Sequence, residues 1–186
     1  VDHPDPDAAA EPFSFAALAE AARRTAETGT ATLTVAGDGS YAADEAAVRS
    51  VLENLFRNAA VHAGTDPAVT AVALDGGFAV VDDGPGIPPA ERDRVFDRGY
   101  TTADDGTGIG LASVATLAAS HGWTVAAGRG RGETSAVLDG ETADLGGGAA
   151  FVVGLGDRPI EEVAAPVVAD PDELVAPSGA LAVGEQ

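Results

Sequence analysis

The stretch from Asp44 to Gly64, DEAAVRSVLENLFRNAAVHAG, constrains this chain more than any other. Val48, Val51, Leu52, Leu55, Phe56 and Ala59 recur at spacings of three and four, which predicts one amphipathic helix with a buried stripe. Asp44 is placed to cap its start and Gly64 to close its end. The same helix carries Asn54 and Asn58, the only two asparagines of the chain, and the only glutamine is the terminal Gln186. Four residues apart on a helix means one face, one turn apart. An amide oxygen binds a hard cation such as Mg²⁺ without adding negative charge, which matters where the cation must also meet an anion. The plainer alternative is that both amides face solvent or bond to nearby backbone.

A chain of 186 residues fits one domain with a tail and buries a real core. Its 30 acidic residues face 10 arginines and no lysine, for a net charge of −20. Such a charge argues against nucleic-acid binding, which needs basic surface to replace counterions. Self-repulsion this strong is tolerated where salt screens it, so a halophilic archaeon is the expected source and a GC-rich mesophile the alternative. With no cysteine there is no disulfide framework, thiol nucleophile or Cys-based zinc site. His3, His62 and His121 form no ligand cluster by spacing. No apolar run is long enough to span a bilayer and no signal peptide is visible, so this stretch is expected in the cytoplasm, without membrane contact of its own, although a larger parent could carry a membrane span. Met is absent even at position 1, which suggests a piece of a longer chain.

Residues 1–12 are acidic, carry three prolines and read as linker. Ser14 caps an expected helix over Phe15 to Glu27, stopped at Gly29. ATLTVA (31–36) alternates as a strand does, and Tyr41 to Ala43 returns briefly after a Gly-rich turn. Beyond the central helix, VTAVALD and FAVVDD are joined by Gly76-Gly77, a hairpin signal. A short helix is expected over Pro89 to Phe96, a longer one from about Gly110 to His121, and strands at WTVAAG and AAFVVGL. Residues 129–148 are Gly-rich with a possible short strand at SAVLD, and 157–186 read as a mobile, acidic, Pro-rich tail or linker. Strands and helices interleave without a regular βαβ run, which predicts an α+β two-layer sandwich: one mixed sheet covered by helices on one face.

Two further constellations carry chemistry. In Val81-Asp82-Asp83-Gly84-Pro85-Gly86-Ile87 a strand delivers an aspartate into a Gly-x-Gly turn. A carboxylate held there accepts a hydrogen bond from an exocyclic amine, and the glycines let a flat ring approach the backbone. Taken alone it is also an ordinary Asp-Gly turn. Gly106-Thr107-Gly108-Ile109-Gly110-Leu111 opens a helix, and backbone N–H groups freed by glycine at a helix N-terminus make an anion site. It is not a Walker loop, which requires a lysine this chain lacks.

The order of these pieces, with Phe96 and Gly99-Tyr100-Thr101-Thr102 between them, resembles the N, G1, F and G2 boxes of sensor histidine kinase catalytic domains. These are built on the Bergerat fold, a mixed, mostly antiparallel sheet covered on one face by helices, shared with gyrase, Hsp90 and MutL ATPases. The resemblance spans roughly residues 13–156 and is close in LENLFRNA, VVDDGPGIP, VFDRGYTT and DGTGIGLASV. It implies ATP and Mg²⁺ as cofactors, Asn58 as metal ligand and Asn54 beside the phosphates. Asp82 would hold the adenine amine, and Gly84 and Gly86 would shape the base pocket. Residues 97–107 would form a mobile lid in which Thr101 and Thr102 reach the phosphates, with Gly106, Gly108 and Gly110 as its phosphate-binding hinge. The implied nucleotide-binding set also takes in His62, Ile87, Phe96, Thr107, Ile109 and Leu111. The implied partners are a dimerisation domain with an acceptor histidine and, indirectly, a response regulator.

Several departures bear on mechanism. Many relatives carry a lysine three residues after the second asparagine, where this chain has Val61, and a basic residue after the Thr-Thr pair, where it has Ala103. Arg57, Arg94 and Arg98 are the candidate phosphate partners. No histidine lies in a His-Glu/Asp-x-x-x-Pro helix. The superfamily's hydrolases place a water-activating Glu one turn before the metal-binding Asn. Here that position is Asn54, and Glu53 lies about 100° around the helix. Transfer to a nucleophile on another domain therefore fits better than hydrolysis. The alternatives are a gyrase/Hsp90-type ATPase or switch, an anti-sigma-type Ser/Thr kinase, and a degenerate ATP-binding regulator.

Overall fold

The computed structural model describes residues 11–26, 29–37, 39–62, 65–97, 110–138, 141–144 and 147–177. Five strands form the main sheet: β2 (Thr32–Ala36), β4 (Ala68–Leu74), β5 (Gly77–Asp82), β6 (Thr124–Arg129) and β9 (Ala149–Gly154), in the order β2-β4-β5-β9-β6. Only β2 and β4 run parallel; the other neighbours are antiparallel. The expected mixed, mostly antiparallel sheet is thus observed. Two short strands, β1 (Phe13–Ser14) and β3 (Ser40–Tyr41), pair with each other beside it. Residues expected to give one strand at SAVLD form a hairpin of β7 (Glu133–Leu138) and β8 (Glu141–Asp144).

Three helices cover one face: α1 (Phe15–Thr25), α2 (Glu45–His62) and α3 (Gly110–Ser120). Ser14 caps α1, its hydroxyl accepting from the Ala17 N–H at 3.3 Å, and Asp44 does the same for Ala47 at 3.1 Å. The predicted stripe of α2 is buried throughout. It packs on Phe15, Phe78, Val80, Phe151 and Val153, which come from α1, β5 and β9. Tyr41 ties the layers together. Its hydroxyl lies 2.7 Å and 2.6 Å from the carbonyls of Leu74 and Gly77, and its ring meets Phe13 and Phe15 edge-on.

The opposite face of the sheet is covered too, by chain that the sequence reading assigned to a tail. Residues 160–164 form α4 (Ile160–Ala164), and Val163, Ala164, Val167 and Val168 are buried against Val72, Leu74, Ala79, Val81, Ala150 and Val152. The prolines and acids that suggested a mobile linker occupy exposed or half-buried positions, while four small apolar residues fill the sheet face. Among the described residues, no helix is long and apolar enough to cross a membrane.

Candidate functional site

One end of the sheet gathers the candidate residues. Strand β5 ends at Asp82, opposite Val69 near the start of β4, and β9 begins beside it at Ala149. Helix α2 runs toward this end, because its last residue leads through a short link into β4. The start of α2 lies at the far end, where Asp44 Oδ2 meets Nε2 of His121, just past the end of α3, at 3.3 Å. Gly110, which opens α3, therefore falls at the same end as Asp82, Asn54 and Asn58.

Asp82 shares strand parity with Phe78 and Val80, so its side chain points into the helix layer. Its carboxylate is buried, at 5% exposure, and its Oδ1 accepts from the backbone N–H groups of Gly84 at 2.9 Å and Ala149 at 3.1 Å. Burial pushes its pKa above the ordinary aspartate value and the neighbouring Asp83 adds to that, while the two N–H bonds pull the other way. Oδ2 remains for a donor such as an exocyclic amine. Asp83 has a structural task instead: its Oδ1 accepts from Ala68 N at 3.0 Å and holds the start of β4.

Gly86 adopts φ +79°, the left-handed region that glycine enters without strain. Gly148 is the residue that sequence reasoning missed. A Cβ there would lie 2.2 Å from Asp82 Oδ1 and 2.6 Å from Gly84 N, so only glycine fits. Its N–H donates to the Asp82 carbonyl at 2.9 Å. The run Gly146-Gly147-Gly148 was the available signal, hidden in a stretch that looked like linker.

On α2, the Asn54 amide nitrogen donates to Ser50 O at 2.9 Å, four residues back along its own helix. Asn58 is half-buried, and its amide makes no side-chain hydrogen bond among the described residues. Glu53 is committed elsewhere: its Oε1 accepts from Thr25 Oγ1 at 2.7 Å and Arg49 Nε at 3.1 Å, joining α2 to α1. Phe96, expected beside the nucleotide, is buried in the main core with its ring edge-on to Phe151. Ile87 and Leu111 are half-buried and pack on that same core. Thr101, Thr102, Gly106, Thr107, Gly108 and Ile109 lie outside the described residues, as does the His62 side chain.

Residues 43–158 match the family described as histidine kinase-, DNA gyrase B-, and HSP90-like ATPase. The chain belongs to this family. Its fold is also that of histidine kinase catalytic domains. It is similar to the mycobacterial sensor histidine kinase MprB, at 24% identity and TM-score 0.57, over 78% of this chain and 96% of that one. The ATP-binding domain of PrrB from Mycobacterium tuberculosis is 26% identical with TM-score 0.52, over 80% and 98%. The catalytic domain of histidine kinase ThkA is 20% identical with TM-score 0.53, over 77% and 93%. No curated protein matches the chain.

Proposed function

We propose that this chain is the ATP-binding catalytic domain of a sensor histidine kinase, and that it passes the ATP γ-phosphoryl to a histidine on a separate dimerisation domain. The observation that carries the reading is Asp82: a buried carboxylate with one oxygen clamped by two backbone N–H groups and the other left for the adenine amine. Asn58 supports a place for Mg²⁺, because its neutral amide oxygen is half-buried and uncommitted among the described residues. Those residues contain no cluster of three or more His, Cys, Asp or Glu fit to hold a metal alone. The cation would then arrive with the triphosphate, whose charge it would offset. Gly84, Gly86 and Gly148 give the base its close approach, and Gly110 opens α3 where backbone N–H groups can receive phosphate.

Glu53 favours transfer over hydrolysis. Its carboxylate is held by Thr25 and Arg49, away from a water-activating role. Acceptor histidine, response regulator and cytoplasmic placement belong to the same reading, as do a linker over 1–12, a kinase domain over 13–156 and an accessory segment beyond it. The net charge of −20 supports adaptation to high salt, as in a halophilic archaeon.

Radiolabelled ATP with Mg²⁺ in high salt tests the function. The chain alone should hold no stable label and release little phosphate, since a bound substrate without a positioned nucleophile turns over slowly. Adding a His-bearing dimerisation domain should put acid-labile label on that domain. Fast phosphate release by the isolated chain, lost on Glu53→Gln, would favour the hydrolase instead. For the metal, Asn58→Ala should weaken Mg·ATP binding more than ATP binding in EDTA. Equal losses in calorimetry would remove that role.

A further inference from the structure

We propose that residues 160–175 are a built-in latch that holds Asp82 in its nucleotide-reading position, acting through residues 129–131 and Gly148. This rests on the nucleotide-site reading above. The family match ends at residue 158, so the latch is an addition to the shared domain.

The latch is built from paired backbone. Strand β6 is the edge of the main sheet, and an unpaired edge exposes a row of N–H and C=O groups. Here the added segment takes up several of them. Ala127 and Val175 exchange two hydrogen bonds, at 2.8 and 2.9 Å. Arg131 N donates to Val167 O and Ala169 N to Arg129 O, each at 2.9 Å. Val163, Ala164, Val167 and Val168 anchor the segment in the apolar face beneath.

From there the bonds run inward without a break. Gly130 N donates to Gly148 O at 2.7 Å, Gly148 N to Asp82 O at 2.9 Å, and Ala149 N to Asp82 Oδ1 at 3.1 Å. Four neighbouring stretches of backbone, 167–169, 129–131, 148–149 and 82–84, thus form one ladder from the added segment to the buried carboxylate. The stretch between Gly130 and Gly148 is the long excursion that carries the β7–β8 hairpin. Its base is held on one side by β9 and on the other by the latch. Segments held by few bonds open locally far more often than the whole fold unfolds. Releasing the latch frees the Gly130–Gly148 base to open, and with it the Gly148 and Ala149 N–H groups that hold the Asp82 carbonyl and carboxylate.

The test uses the full chain carrying Ala169→Pro. This removes the Ala169 N–H at an exposed position and leaves every nucleotide-site residue intact. Amide exchange at Gly148 and Ala149 should speed up by about fivefold, the loss expected for one net hydrogen bond, while the amides of β4 keep their rates. Preference for ATP over ITP, which lacks the exocyclic amine, should fall in step. A merely structural loss would weaken both nucleotides equally. Val175→Pro repeats the test at the second contact should Ala169→Pro fail to fold. Unchanged exchange at Ala149 together with an unchanged ATP preference would overturn the latch. If the unaltered chain shows no preference for ATP over ITP, the adenine-reading role of Asp82 fails, and the exchange rates still decide whether the latch exists.

Discussion

The two faces of the main sheet are buried by different kinds of chain. On one side lie α1, α2 and α3, with large side chains such as Phe15, Phe56, Phe78, Leu52 and Leu55 fully buried. On the other lie one five-residue helix, turns and a short 3-10 turn at Pro171–Glu173, and the interior is almost all valine and alanine. A helix that short does not form in isolation, so α4 owes its shape to the sheet it lies on. The helix face is a self-supporting core with the site at one end. The outer face is a thin apolar seam whose cover depends on the sheet and, through Gly130 and Gly148, touches the same site. The site therefore has contacts with both layers, directly with the helix side and through Gly130 and Gly148 with the outer cover.

Truncating one buried residue on each face is the direct way to break this comparison. Phe78→Ala on the helix side should cost about 3–5 kcal/mol, enough to unfold a marginal domain. Val163→Ala on the outer side removes two methyl groups and should cost about 1–2 kcal/mol. Denaturant melts of the two variants check the ranking, and equal losses would mean that the outer seam is no weaker than the main core.

Salt sharpens the contrast with a smaller effect. Residues 160–177 carry Glu161, Glu162, Asp170, Asp172 and Glu173 and no basic residue, so repulsion within the cover is unscreened at low ionic strength. Thermal melts in rising KCl should show the whole chain gaining stability. Amide protection at Ala169 and Val175 should gain more than protection in α2. A melting temperature indifferent to KCl would count against both the proposed salt adaptation and this contrast.

The smallest effect on stability is expected at Asp82. Burial raises its pKa in the folded chain, so the folded state binds more protons than the unfolded one as pH climbs from the ordinary aspartate value toward the raised one. Stability falls across that window and stays reduced above it. Asp82→Asn keeps an oxygen for the Gly84 and Ala149 N–H groups but removes the buried charge. The variant should melt no lower than the unaltered chain at neutral pH, lack the fall across that window, and bind ATP poorly. A lower melting temperature at neutral pH would show that the charge itself helps hold the site.

Much of the helix face was legible in the sequence because it is written in local patterns. The three- and four-residue spacing of Val48, Val51, Leu52, Leu55, Phe56 and Ala59 is a property of one helix and needs no partner to be read. The caps Ser14 and Asp44 are likewise local, and so is the hairpin at Gly76-Gly77. The pairing of Asn54 with Asn58, the Asp82 turn and the glycine run ending at Gly110 stand close enough in sequence to be noticed and ordered.

The sequence by itself determined the three helices α1, α2 and α3, most strands of the main sheet and which residue types are available at the site. Only the tertiary structure decided three further things. Gly148 closes on Asp82 from a residue 66 positions later, at a distance only backbone without a Cβ can reach. Glu53 is taken by Thr25, a partner on a different helix. Residues 160–175 turn from apparent tail into cover because Val163, Val167 and Val168 meet a valine-lined face set by strands far away in the chain. Each of these depends on contacts between distant segments. Periodicity and composition describe a segment's own preferences, and they do not say which remote backbone will come to lie against it.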